Sequence, residues 1–85
     1  MKARVVHCKQ ESYDVYIGRP SKWGNPYQLG PDGSREEVIE KYMEWLENNP
    51  DLLGDIYELK GKVLGCWCKP KPCHGDVLVD IINQL

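Results

Sequence analysis

Three of the four cysteines fall within eight residues, in the run Cys66-Trp67-Cys68-Lys69-Pro70-Lys71-Pro72-Cys73-His74-Gly75-Asp76. Cys66 and Cys68 are two positions apart, so an extended strand turns both thiols to the same side. Pro70 and Pro72 stiffen the return, and Cys73-His74 falls where a helix is expected to begin. Several chemistries fit these residues. Three thiolates and an imidazole are the donor set of a tetrahedral zinc site, which makes Cys66, Cys68, Cys73 and His74 candidate metal ligands. The C-x-C-x4-C-H spacing departs from the paired zinc knuckle, and adjacent Cys73 and His74 need an irregular backbone to face one ion. Alternatively, the free N–H groups of a helix N-terminus lower the pKa of Cys73 or hold a phosphate or carboxylate. On that reading Cys73 and His74 are the candidate nucleophile and acid–base group. A third reading is packing alone, with the cysteines as small buried hydrophobes. A redox pair of Cys66 and Cys68 is a fourth, disfavoured by the strain of the short C-x-C ring.

The second unusual segment is Gly18-Arg19-Pro20-Ser21-Lys22-Trp23-Gly24-Asn25-Pro26. Gly18 and Gly24 permit positive φ while Pro20 and Pro26 fix φ, so the backbone is closely specified. On such a platform Arg19 can grip phosphate or carboxylate bidentately, with Lys22 as a second charge and Ser21 as a hydroxyl partner. Trp23 offers a stacking face, and Asn25 a donor and an acceptor for a base edge. The competing reading is a rigid surface loop in which Trp23 covers the core and Arg19 pairs with one of the 13 acidic residues. His7, Cys8, Lys69 and Lys71 are additions more simply explained by packing or solvation.

These segments need a scaffold, and 85 residues provide material for one domain. The net charge of −2 gives no global attraction to nucleic acid or to an acidic membrane, so any polyanion must meet a local basic cluster. No apolar run approaches a bilayer span, and the opening Met1-Lys2-Ala3-Arg4 leads into a short apolar strand rather than a signal peptide. A soluble cytoplasmic protein is expected. The sequence does not fix its oligomeric state. Clustered cysteines without a secretory signal favour metal or thiol chemistry over a disulfide framework.

Ala3 to Cys8 reads as a first strand and Tyr13 to Ile17 as a second. A long loop from Gly18 to Gly33 follows. Ser34-Arg35-Glu36-Glu37 is a capping box, after which Val38, Ile39, Tyr42, Trp45 and Leu46 share one helical face. Asn48-Asn49-Pro50 ends that helix and opens a second, with Asn49 as cap and Pro50 at its first position, through Leu52, Leu53, Ile56 and Leu59. Gly54 weakens it and Gly61 stops it. Lys62 to Trp67 reads as a buried strand, and Gly75 onward as a last helix with Val77, Leu78, Ile81, Ile82 and Leu85 on one stripe. The order predicts a small single-domain α/β layer fold of about three mostly parallel strands and about three helices. In such sheets ligands bind beyond the carboxyl ends of the strands, and both unusual segments lie there.

The chain resembles the small bacterial and phage family called domain of unknown function 4326. The resemblance rests on Tyr13-Asp14-Val15-Tyr16-Ile17-Gly18 continuing through Arg19-Pro20-Ser21-Lys22-Trp23-Gly24-Asn25-Pro26, on Arg35-Glu36-Glu37-Val38-Ile39, and on Leu64-Gly65-Cys66-Trp67-Cys68 through Cys73-His74-Gly75-Asp76-Val77-Leu78. It covers nearly the whole chain, and its name assigns no activity. A weaker likeness to another bacterial family has the strand–Cys–loop–Cys-His–helix pattern with an acidic residue at the position of Cys68. That likeness implies that Cys73-His74 at the helix start is the general feature rather than a four-ligand zinc site. The expected function is a pocket for a small anionic ligand, a nucleotide or nucleic-acid fragment, formed by the two segments. The alternative is a Cys₃His zinc module without catalysis.

Overall fold

The computed structural model describes residues 2–69 and 71–85. The expected stiffening by Pro70 lies outside the described residues. Three strands, β1 (Arg4–His7), β2 (Val15–Tyr16) and β3 (Val63–Cys66), form one sheet in the order β1-β3-β2. Both outer strands pair parallel to β3, with Val6 and Tyr16 each opposite Gly65. The small parallel α/β architecture expected from the element order is the observed one. β3 lies in the middle, and Leu64, Gly65 and Cys66 on it are buried, as a strand flanked on both sides requires. Asp14 fastens the short β2 to β3: its N–H donates to the Val63 carbonyl at 2.7 Å, and its carboxylate accepts from the Val63 N–H at 2.8 Å.

Helix α1 (Arg35–Glu47) begins at the predicted capping box. The Glu37 N–H donates to Ser34 Oγ at 3.3 Å, and Glu37 Oε1 accepts from the Ser34 N–H at 3.0 Å. Val38, Tyr42 and Leu46 form its buried stripe, with Ile39 and Trp45 partly covered. Helix α2 (Pro50–Gly54) does not run on to Leu59 as the apolar spacing suggests; it tightens into a 3₁₀ turn over Asp55–Leu59. The change falls after Gly54, the weak point of the helical pattern. Asn49 makes no side-chain cap there. Gly61, at φ 73°, turns the chain into β3 in a conformation that favours glycine.

Helix α3 (His74–Ile82) buries Val77, Leu78 and Ile82, whereas Leu85 lies beyond its end and is exposed. Asn83 ties the last helix to the first strand: its side-chain amide accepts from the Ala3 N–H at 3.0 Å and donates to the Ala3 carbonyl at 3.2 Å. Ile17, Tyr42, Leu46, Leu59, Leu64 and Leu78 are fully buried at the centre of one continuous core. Among the described residues no helix is long and apolar enough to cross a membrane.

Candidate functional site

A cleft of about 270 Å³ opens at the carboxyl ends of β2 and β3, against the start of α3. Cys66, Cys73 and His74, all buried, make its floor. Val38 and Ile39 of α1 and Tyr27 and Leu29 of the long loop add apolar lining. Arg19, Arg35 and Trp67 complete the mouth.

The rim is built from the turn after β2. The Tyr16 side chain folds back over Gly18, where a Cβ would collide with its ring and hydroxyl. Its hydroxyl donates to the Arg19 carbonyl at 3.1 Å and accepts from Trp67 Nε1 at 2.8 Å. Gly24 serves Arg19 in the same way: a Cβ there would come within 2.9 Å of Arg19 Cγ. Neither Gly18 nor Gly24 has positive φ; that conformation belongs to Gly30, Gly33 and Gly61. Both turn glycines are therefore required for close approach rather than for left-handed backbone. Arg19, laid over Gly24, makes no side-chain hydrogen bond or ion pair among the described residues.

The other residues of this loop are placed differently from the sequence expectation. Trp23 is only 2 % exposed and belongs to the core, its carbonyl accepting from the Tyr42 hydroxyl at 2.8 Å. Its ring is not a stacking face in the cleft. Lys22 turns away to Asp55 and Glu58, each at 3.1 Å, and their hydrogen bonds raise its pKa. Ser21 Oγ is buried without a hydrogen-bond partner and outside the cleft lining. Asn25 does line the cleft, but its amide donates to the Val38 carbonyl at 3.1 Å and accepts from the Tyr27 N–H at 3.0 Å. It fastens the loop to α1. Of the five residues proposed for ligand contact, Arg19 and Asn25 reach the cleft.

The aromatic and cationic groups that do reach it were only partly legible. Trp67, 55 % exposed, carries the accessible indole; the His7 ring meets it edge-on at 5.9 Å and Lys9 Nζ lies 5.3 Å from its centre. His7 thus approaches the rim through Trp67. Arg35 donates to the Pro72 carbonyl at 3.1 Å, linking α1 to the cysteine loop. It reads in the sequence as an interior residue of the capping box, so its second role carries no local signal.

At the floor, Cys66 Sγ and Cys73 Sγ are 3.2 Å apart, one at the end of β3 and the other at the N-cap of α3. A hydrogen bond from Cys73 pulls the Cys66 thiol down to about 6, against burial and helped by the N–H groups of Cys68 and Lys69 and the Lys69 charge. Cys73 moves the other way, because its proton is held between the two sulfurs and its site is dry. The shared proton makes Cys66 the more acidic sulfur of the pair, whereas helix position alone points to Cys73. Lys69 is fixed by Asp76 at 2.7 Å; burial opposes its charge, but the carboxylate outweighs that and raises its pKa.

His74 Nε2 lies 2.7 Å from the Ile17 carbonyl. A carbonyl only accepts, so Nε2 carries the proton and the open nitrogen is Nδ1. Burial holds the ring neutral and lowers its pKa, with Arg19 acting in the same direction and the Ile17 carbonyl opposing. Among the described residues no three His, Cys, Asp or Glu side chains form a group that could hold a metal ion. The expected zinc set of Cys66, Cys68, Cys73 and His74 forms no such group: Cys73 lies against Cys66, and the imidazole gives Nε2 to Ile17 while Nδ1 stays open.

The chain belongs to the family described as Domain of unknown function (DUF4326), whose model matches residues 2–84. It is similar to an uncharacterised 12.4 kDa protein from the nrdA-td intergenic region of Enterobacteria phage T4, 40% identical over 96% of this chain and 79% of the phage protein. An uncharacterised protein of Acanthamoeba polyphaga mimivirus is 39% identical over 88% of this chain and 71% of its own length. No solved structure matches the chain.

Proposed function

We propose that the cleft binds a small anionic ligand, a mononucleotide or the end of a nucleic-acid strand, with its phosphate at Arg19 and its base against Trp67. The observation that carries this reading is Arg19, which lines the cleft and whose side chain makes no hydrogen bond or ion pair among the described residues. In a chain with 13 acidic and 11 basic residues, Arg4, Lys22 and Lys69 are paired with carboxylates. Arg19 instead lies on a seat that only glycine allows. A guanidinium so positioned favours planar, bidentate recognition of phosphate or carboxylate.

The cleft volume of about 270 Å³ sits just below the usual range for drug-sized ligands and suits one nucleotide rather than a dinucleotide. Its apolar lining at Val38 and Ile39 and its indole at Trp67 provide the surfaces that a planar base covers. Arg35 supplies a second cation at the mouth, and α3 begins at the floor. Should the bound molecule be transformed, the Cys66–Cys73 pair is the candidate nucleophile and His74 Nδ1 the available base.

The test is isothermal titration of the full chain with a panel of ribo- and deoxyribonucleoside monophosphates and inorganic phosphate. Binding by at least one nucleotide is expected, weakened about tenfold or more by Arg19→Ala, the loss of one charge-assisted contact. Because the Arg19 side chain makes no hydrogen bond or ion pair among the described residues, that variant keeps its thermal midpoint. Trp67→Leu separates base from phosphate recognition by weakening nucleotides while leaving inorganic phosphate unchanged. Absence of binding across the panel at millimolar concentration, or equal affinity in Arg19→Ala, overturns the proposal.

A further inference from the structure

We infer that Cys66 and Cys73 form a peroxide-sensitive dithiol, converted by hydrogen peroxide into an intramolecular disulfide at the floor of the cleft. This site is independent of the anionic-ligand reading and needs no bound nucleotide. Its basis is placement: the two sulfurs are 3.2 Å apart, and both cysteines are free thiols. Each is held by a regular element, Cys66 by the end of the central strand and Cys73 by the N-cap of α3. Their approach is thus a property of the strand–helix junction rather than of one side-chain rotamer. A disulfide needs the sulfurs at about 2 Å, a closure of about 1 Å.

The surroundings of Cys66 favour it as the attacking sulfur. The N–H groups of Cys68 and Lys69 face its sulfur, and the Lys69 ammonium lies close by, steadied by Asp76 at 2.7 Å. Cys68, two residues on, is only partly covered and makes no sulfur contact with Cys66, so the pair is not the C-x-C couple that spacing suggests. Access sets the class of oxidant. Cys66 and Cys73 line the cleft, yet they are only 1 % and 2 % exposed. Such cover selects a two-heavy-atom peroxide over a bulky disulfide, which must align three sulfurs for exchange.

The Cys66 thiolate attacks one peroxide oxygen; an S–O bond forms, the O–O bond breaks, and the departing hydroxide takes a proton to become water. Cys66 is now a sulfenic acid, oxidised by two electrons, and the peroxide is reduced. The Cys73 sulfur then attacks Cys66. The S–S bond forms, the S–O bond breaks, and the Cys73 proton leaves with the hydroxide as a second water. Two thiols and one peroxide give one disulfide and two waters.

The experiment exposes the reduced full chain to graded hydrogen peroxide, followed by differential alkylation before and after reduction and by intact-mass measurement. The expected product has lost two hydrogens and carries the second label on Cys66 and Cys73 alone. Cys8→Ser and Cys68→Ser still give it, whereas Cys73→Ser stops at a one-oxygen adduct on Cys66, which dimedone captures once the chain is unfolded in denaturant. Glutathione disulfide at the same concentration leaves the native chain unmodified. An unchanged mass under peroxide that oxidises a free-thiol peptide, a label pattern naming Cys8 or Cys68, or glutathione attached to Cys66 overturns the inference. If Cys73→Ser fails to fold by circular dichroism, the wild-type label pattern decides by itself.

Discussion

The Tyr42 hydroxyl donates a 2.8 Å hydrogen bond to the Trp23 carbonyl, joining the middle of α1 to the long loop that carries Arg19. Tyr42 is fully buried, and its desolvated phenol is held well above the ordinary value of 10.0, so it stays a donor across the accessible pH range. Replacing it by phenylalanine keeps the ring and strands a buried carbonyl. Tyr42→Phe is expected to cost about 2 kcal/mol, in the range of an orphaned buried acceptor, with a matching drop in the urea midpoint. An unchanged midpoint means that water reaches the Trp23 carbonyl and that the loop is not pinned there.

Two glycines make an internal comparison. A Cβ on Gly75 would stand 2.7 Å from Ile17 Cδ1 and 2.9 Å from Val5 Cγ2, so the first turn of α3 lies directly on the sheet. Gly54 is exposed, helical at φ −63°, and has nothing within 4 Å of its would-be Cβ. Gly54→Ala is expected to stabilise by about 0.5–1 kcal/mol through the unfolded chain, and Gly75→Ala to destabilise by about 1–3 kcal/mol through overpacking. Thermal melts of both variants check the pair of opposite signs.

Local signals in the sequence specified what local physics controls. The Ser34–Glu37 box placed the start of α1, and strand–loop–helix order put both unusual segments at one end of a parallel sheet. Residues whose roles depend on distant partners were not legible. Lys22 and Trp23 looked like ligand groups because Asp55, Glu58 and Tyr42, which claim them, are 19 to 36 positions away. The spacing that pointed to Cys66 with Cys68 concealed Cys66 with Cys73, since only the fold tells which helix start meets the strand end. Trp67 and Trp23 are alike in sequence, one on the cleft and one in the core, and only packing separates them.

His74 gives a pH dependence with a definite sign. Its folded pKa is depressed below the ordinary 6.5, chiefly by burial. Between the folded and unfolded values the unfolded chain binds the extra proton, so stability rises with pH there. The contribution is full above about pH 6.5 and is lost as the pH falls toward the folded value. Thermal midpoints measured from about pH 7.5 to about pH 5 should therefore fall for the wild type. In His74→Gln, whose amide can still donate toward Ile17, the fall should be shallower. Parallel curves would assign the acid sensitivity to other groups.

The donor geometry also bears on metal removal. Zinc could take His74 only through the open Nδ1, since Nε2 is held 2.7 Å from the Ile17 carbonyl. For zinc to take both Cys66 and Cys73, the proton between their sulfurs must leave. Protein purified without chelator is expected to hold far less than one zinc per chain by elemental mass spectrometry, and excess chelator to leave its thermal midpoint unchanged. A full equivalent of zinc, lost together with several degrees of stability on chelation, would mean that the cysteine loop reorganises around a metal.

The ionisation of the Cys66–Cys73 pair can be read directly. The Cys66 thiol is drawn to about 6 first by the hydrogen bond from Cys73, while Cys73 is pushed above the ordinary thiol value of 9.0. The pair therefore loses one proton early and holds the other tightly, as two groups sharing a proton do. Thiolate absorbance near 240 nm, titrated on the reduced folded chain, should show an early step that belongs to this pair. Cys73→Ala removes the donor and leaves the burial, which opposes ionisation, so the early step should move up in pH. Persistence of that step at its original pH in Cys73→Ala would show that the Cys68 and Lys69 N–H groups and the Lys69 ammonium hold the thiolate without help from the second sulfur.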